Sequence, residues 1–147
     1  MSALPTDALA RNEYPMADGL LYYFPAALAE VARVSKIGND QHNPGQPMHW
    51  ARGKSTDHAN KIIRHQLEAG TRDVDGTLHS AKVAWRALAQ LQEELERDHG
   101  APLPRNARLP EQYGELIPHG IAAAYLRDVA ERDDDAPLNL PSDHDPS

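Results

Sequence analysis

"PAALAEVARVSKIG", Pro25 to Gly38, is the stretch whose reading decides the fold class. Proline suits the first turn of a helix, where its missing N–H is no loss, and glycine is the usual left-handed stop, so the segment reads as one helix from Pro25 to Gly38. On a wheel of about 100° per residue, Leu28, Val31, Val34, Ala27 and Ile37 form a wide apolar stripe, and Glu30 falls inside it, between Val34 and Ile37. A carboxylate placed there needs a partner, because burial without a cation or metal is costly. The plain partner is Arg64 or Lys82 in an ion pair. The sharper one is a divalent cation, or the proton of an attacking water.

Outward from this helix the same periodicity recurs. A second helix starts near Ser55 to Asp57, any of which can cap it, and runs through "HANKIIRHQLEA" to Gly70. Its apolar face is Ala59, Ile62, Ile63 and Ala69, with His58 and His65 two turns apart on one edge. A third helix spans about Leu78 to Asp98 and stops at Gly100. Its expected core stripe is Ala84, Ala87, Leu88, Leu91 and Leu95, with His79, Lys82 and Arg86 on the opposite, solvated side. "HGIAAAYLRDVAER", 119–132, reads as a fourth helix, and no stretch alternates convincingly enough for a strand. The expected fold is all-α: a compact domain of about four helices with long Pro/Gly-rich loops. The division is a flexible leader (1–12), a helical core (13–100), a linker with the C-terminal helix (101–132) and an acidic tail of disordered composition (133–147).

Composition narrows the function. The chain has 147 residues, one domain's worth, with 12 Pro, 9 Gly and only 5% aromatics, which suits helices joined by long loops better than a β-sandwich. Cys is absent, which excludes disulfides and thiolate sites and accords with a reducing cytoplasm. No basic and apolar leader opens the chain and no apolar run is long enough to span a membrane, so a soluble, cytoplasmic protein is expected. A net charge of −7 argues against a nucleic-acid polymer as partner. Yet residues 49–86 hold seven Lys/Arg against four Asp/Glu, together with four of the eight His. A cationic centre in an acidic chain suits a small anion.

That centre begins at "HWARGKSTDH", His49 to His58. Arg52-Gly53-Lys54-Ser55 resembles the end of a phosphate-binding P-loop, but position 48 is Met where that motif needs Gly, and no buried strand precedes it. What survives is a helix N-terminus with a positive dipole end and two adjacent cations, a natural place for a phosphate; the alternative is a plain cap with solvated side chains. His58 and His65 are hydrogen-bonded core residues or ligands, and their spacing is not a strong zinc signature. Trp50 and Trp85 stack a base or anchor the packing.

The run "YPMADGLLYYFPAALAEVARVSKIGNDQHNPGQPMHWARGKSTDHANKIIRHQLEAG", followed by "DGTLHSAKVAWRALAQLQEELE", closely resembles the dATP/dGTP diphosphohydrolase N-terminal domain family, common in phages and prophages, over about residues 13–97. "GNDQHNPG", "HWARGKSTDH" and "HSAKVAWRALA" carry the resemblance by their wording and order. It implies a purine deoxynucleoside triphosphate, dATP or dGTP, as substrate, cleaved to monophosphate and pyrophosphate. It further suggests kinship with all-α nucleotide pyrophosphohydrolases of the MazG-like kind, helical oligomers that hold Mg²⁺ with acidic side chains. Those enzymes carry ExxE and ExxD pairs, whereas Glu30 is followed at i+3 by Arg33, and Asp57 by Asn60.

The expected machinery is therefore Glu30 and Asp57 as metal and catalytic carboxylates for Mg²⁺ or Mn²⁺, with His58 and His65 as further catalytic groups. Asn39, His49, Trp50, Arg52, Lys54, Ser55, His79, Lys82 and Arg86 are the expected substrate contacts, their cations neutralising the charge that builds up in phosphoryl transfer. The alternative is a nucleotide-sequestering protein that uses the same cations without catalysis. A homo-oligomer, dimer or tetramer, is expected to cover an apolar helix face.

Overall fold

The structure, a computed structural model, describes residues 3–108, so the expected fourth helix at 119–132 and the tail lie outside the described residues. The chain is mostly helical. The first ordered turn, α1 (Ala8–Arg11), falls inside the expected leader and is capped by Asp7, whose carboxylate accepts the Ala10 N–H at 2.8 Å. A π-helical turn (Ala17–Leu21) follows and leads into α2 (Pro25–His42). Then come α3 (His58–Leu67) and α4 (His79–His99).

Proline opens α2 as expected, but Gly38 does not end it. The left-handed glycines are Gly45, Gly70, Gly76 and Gly100, whereas Gly38 keeps helical backbone for one more turn. The stop is Asn43, whose N–H bonds the Asn39 carbonyl at 2.7 Å, and a Lys36–Asp40 pair one turn earlier spans the glycine. Gly100 does end α4, at φ 68°, as the sequence implies.

α3 and α2 both pack against α4. The loop between α2 and α3 contains β1 (Trp50–Ala51) and a single 3₁₀ turn, Arg52–Lys54. The segment after α4 returns to this loop as β2 (Ala107–Arg108), and the two pair in parallel with Trp50 opposite Ala107. This two-residue ladder, unforeseen in the sequence, closes the loop over the space between α2 and α4.

The faces of α3 and α4 are reversed from expectation. On α4, Leu88, Leu91 and Leu95 are exposed, while His79, Lys82 and Arg86 are buried with Ala81 and Ala89. On α3, Ala59 is exposed and Ile63 is 61% exposed, while His58 and His65 are 4% and 1% exposed. Periodicity fixes which residues share a face, not which face turns inward. Here the polar ridges are held inside because each buried charge meets an opposite charge or a hydrogen-bonding group on a neighbouring element, as burial requires. The buried apolar residues among those described are three alanines, Ala81, Ala89 and Ala107, and the described residues leave the leucine ridge of α4 exposed.

Candidate functional site

A cavity of about 350 Å³ opens between α2, the 43–55 loop, α4 and the returning 104–107 segment. Of the expected substrate contacts, Asn39, His49, Trp50, Lys54 and Ser55 line it from α2 and the loop, and Lys82 and Arg86 from α4. Its charged lining is three cations, Lys54, Lys82 and Arg86, against one carboxylate, Asp75. Such a lining is concave, partly apolar and richer in positive than in negative side chains.

Each element holds its piece by local chemistry. Asn39 pins the loop to α2: its amide donates to the Gln46 carbonyl at 3.2 Å and its oxygen accepts the His49 N–H at 3.2 Å. Lys54 Nζ donates to the His42 carbonyl and to Asn43 Oδ1 at 2.7 Å, tying the C-terminal end of α2 to the loop. Ser55 does not cap α3. Its hydroxyl accepts from Arg86 and, at 3.1 Å, from Lys61. Trp85 donates its indole N–H to Ser35 Oγ at 2.7 Å and meets Trp50 edge to face, centroids 5.8 Å apart. Both indoles line the cavity and form a fixed aromatic corner.

The sequence "DVDGT" supplies the far wall. Gly76, at φ 78°, turns the chain, and Asp75 Oδ1 accepts both the N–H and the hydroxyl of the wholly buried Thr77. Asp73 and Asp75 are thereby aimed at Lys82, whose ammonium lies 2.6 Å from one and 2.9 Å from the other. Burial pushes both carboxyls up. Lys82 and the Val74 N–H at Asp73, and Thr77 and Lys82 at Asp75, outweigh it and hold both below the ordinary carboxylate range.

The remaining expected residues stand elsewhere. Arg52 is buried behind the cavity wall, binding Glu96 with Nη2 2.5 and 2.6 Å from the two carboxylate oxygens and covering the Trp50 ring at 3.8 Å. It orients the indole. His79 does not line the cavity: its Nε2 faces Glu68 at 3.2 Å and its Nδ1 lies 2.8 Å from His65 Nδ1. His58 sits 3.4 Å from Glu93, and burial holds its pKa down against the pull of that carboxylate. Glu30 is only half-buried and its cation is Arg33, at 3.7 Å, in place of Arg64 or Lys82. Asp57 is exposed at the N-terminus of α3, where its carboxylate accepts the Asn60 amide at 2.9 Å and makes no capping bond.

Neither Glu30 nor Asp57 lines the cavity, and the one group of three or more His, Asp and Glu side chains brought into ligand distance among the described residues is His65, Asp73 and His79. Sequence reasoning passed over Asp75, His42 and Asn43, which also line the cavity. Asp75 was within reach, since Asp-Gly-Thr is a tight-turn signature that fixes where an Asx carboxylate points.

Fold and site together define a helical domain whose cavity is lined by three cations and cornered by two indoles. The chain belongs to the dATP/dGTP diphosphohydrolase, N-terminal family, whose model matches residues 6–101. No curated protein and no solved structure matches the chain. No helix among the described residues is long and apolar enough to cross a membrane.

Proposed function

We propose that the cavity binds a purine deoxynucleoside triphosphate, dATP or dGTP, and that the domain hydrolyses it to the monophosphate and pyrophosphate. The observation that carries this reading is the lining of three cations against one carboxylate beside two indoles. Lys54, Lys82 and Arg86 suit the polyphosphate, and the Trp50–Trp85 corner suits a base.

In the reaction a water oxygen bonds to the α-phosphorus, the bond from that phosphorus to the bridging oxygen breaks, and pyrophosphate leaves with the electron pair. The water proton goes to His49. Its Nδ1 lies 2.9 Å from the Pro47 carbonyl, which can only accept, so the proton is on Nδ1 and Nε2 keeps the lone pair. Preorganised cations stabilise the charge that accumulates on the phosphates. Because neither Glu30 nor Asp57 lines the cavity, the expected Mg²⁺ or Mn²⁺ centre is not assigned to them.

Hydrolysis of dGTP in ¹⁸O-labelled water, read by mass spectrometry, tests the scheme. Label in dGMP, with unlabelled pyrophosphate, is the expected result; label in pyrophosphate or orthophosphate places the attack elsewhere and refutes it. Binding with the triphosphate recovered intact indicates the sequestering reading, which one observation favours: the lining carboxylate, Asp75, is already engaged by Lys82. The exposed ridge of Leu88, Leu91 and Leu95 is the face we assign to a second copy of the chain.

A further inference from the structure

Outside the cavity, the corner where α3 hands over to α4 gathers three side chains of a kind that metals use. His65 lies in the last turn of α3, Asp73 in the connecting turn and His79 at the first position of α4. One ligand atom from each comes within 4.8 Å of the other two. The histidine spacing, fourteen residues across a turn, hides this in the sequence.

We propose that His65 Nδ1, His79 Nδ1 and the Asp73 carboxylate form a binding site for a transition-metal dication of the Zn²⁺ class, separate from the nucleotide cavity and independent of the nucleotide reading. Two nitrogens bound tetrahedrally to one such ion at about 2.0–2.1 Å are separated by roughly 3.3 Å. The two Nδ1 atoms stand 2.8 Å apart, with rings tilted at 41°, so parting them by about half an ångström and turning the rings until both lone pairs converge admits the ion.

The tautomer of His79 is set for this role. Glu68 faces His79 Nε2 at 3.2 Å, and a carboxylate accepts, so the ring proton sits on Nε2 and the Nδ1 lone pair points at His65. A carboxylate behind a ligating imidazole is the usual outer support of a bound metal. Asp73 is ionised and held in place by the Val74 N–H at 2.7 Å and by Lys82, so it brings a fixed negative charge. His65, Asp73 and His79 have little exposure, with 13% for the Asp73 side chain, which limits competition from water.

Two imidazole nitrogens and one carboxylate select borderline dications over Mg²⁺, which prefers an all-oxygen shell. The ion would take the place of the proton that His65 Nδ1 donates to His79 Nδ1, His65 then carrying its proton on Nε2, and would lock the end of α3, the "DVDGT" turn and the start of α4 into one unit. That turn also carries Asp75, so the clamp steadies the cavity wall from behind.

The test uses the full chain, stripped with chelator and titrated calorimetrically with ZnCl₂ and with MgCl₂, alongside long-range ¹H–¹⁵N spectra of the histidines. Expected are one Zn²⁺ per chain, no heat with Mg²⁺, and metal-induced shifts at Nδ1 of two histidines. Asp73→Asn and His79→Gln abolish the binding. Glu68→Gln, at a side chain 59% exposed and harmless to folding, weakens it about tenfold, the usual effect of removing an outer partner. Absence of Zn²⁺ binding to the wild-type chain, Nε2 coordination at other histidines, or affinity unchanged in both Asp73→Asn and Glu68→Gln overturns the assignment.

Discussion

Replacing Lys82 with methionine tests the electrostatic frame of the cavity wall. The Lys82 side chain is 8% exposed, and those of Asp73 and Asp75 are 13% and 12%. The substitution keeps the stem and deletes the charge, leaving two nearly buried carboxylates beside each other. Removing one partner of a buried pair costs about 3–5 kcal/mol, because the surviving charge stays desolvated. At about 2–4 °C per kcal/mol for a chain of this size, Tm should fall by roughly 10 °C. The pH dependence provides a second check. In the wild type both aspartates titrate below their ordinary 3.8, so their stabilisation is present above that value and lost as pH falls through the lower folded values. In Lys82→Met both carboxyls lose that cation and titrate higher than in the wild type, so the deficit is full at pH 7 and shrinks as the pH falls toward 4. Urea unfolding followed by the fluorescence of Trp50 and Trp85 reads both quantities. A deficit under about 1 kcal/mol at pH 7, or one equally large at pH 4, would refute the reasoning.

Other perturbations probe other parts. Burial holds His58 below 6.5 in the folded chain, so its contribution is present above that pH and lost as pH falls through the lowered value; His58→Gln should flatten the slope of the urea midpoint between pH 7.5 and 5.5. Gly100→Ala should lower stability by about 1 kcal/mol, because φ is 68° there, whereas Gly38→Ala should raise it by about 0.5–1 kcal/mol in thermal melts. At Gly38 a Cβ meets nothing within 4 Å and the backbone is helical. Leu91→Glu should convert a self-associated species to a monomer in sedimentation velocity, and a wild-type chain already monomeric would remove the second copy from the account.

Much of the fold was legible. The three main helices, the Pro25 start and the Gly100 stop follow from spacing and from the conformations that proline and glycine allow. The orientation was not, because the ridge His79, Lys82, Arg86, Glu93, Glu96 carries both signs at helical spacing and its partners lie far away in sequence: Asp73 and Asp75 in a turn, Ser55 and Arg52 in a loop. A reading by hydrophobicity sends such a ridge to solvent. Recognising that it could neutralise itself would have kept it inside. The cavity residues of the loop were legible for a related reason, since a long Pro/Gly loop with two cations, a histidine and an indole suggests a built surface. Their anchors, Asn39 to Gln46 and Lys54 to Asn43, depend on the α2 helix passing Gly38, which no local rule foretells.

The central claim is that Lys54, Lys82 and Arg86 surround the phosphates of a purine deoxynucleotide. Calorimetric titration of dGTP and dATP into the wild-type chain and into Lys54→Ala and Arg86→Ala tests it most directly, with circular dichroism verifying the fold of each variant. The account predicts stoichiometric binding to the wild type that weakens with added salt. Each variant should lose at least tenfold in affinity, about 1.4 kcal/mol, as expected for the loss of a charge-assisted contact. Binding of equal strength in folded variants, or none in the wild type, would contradict it.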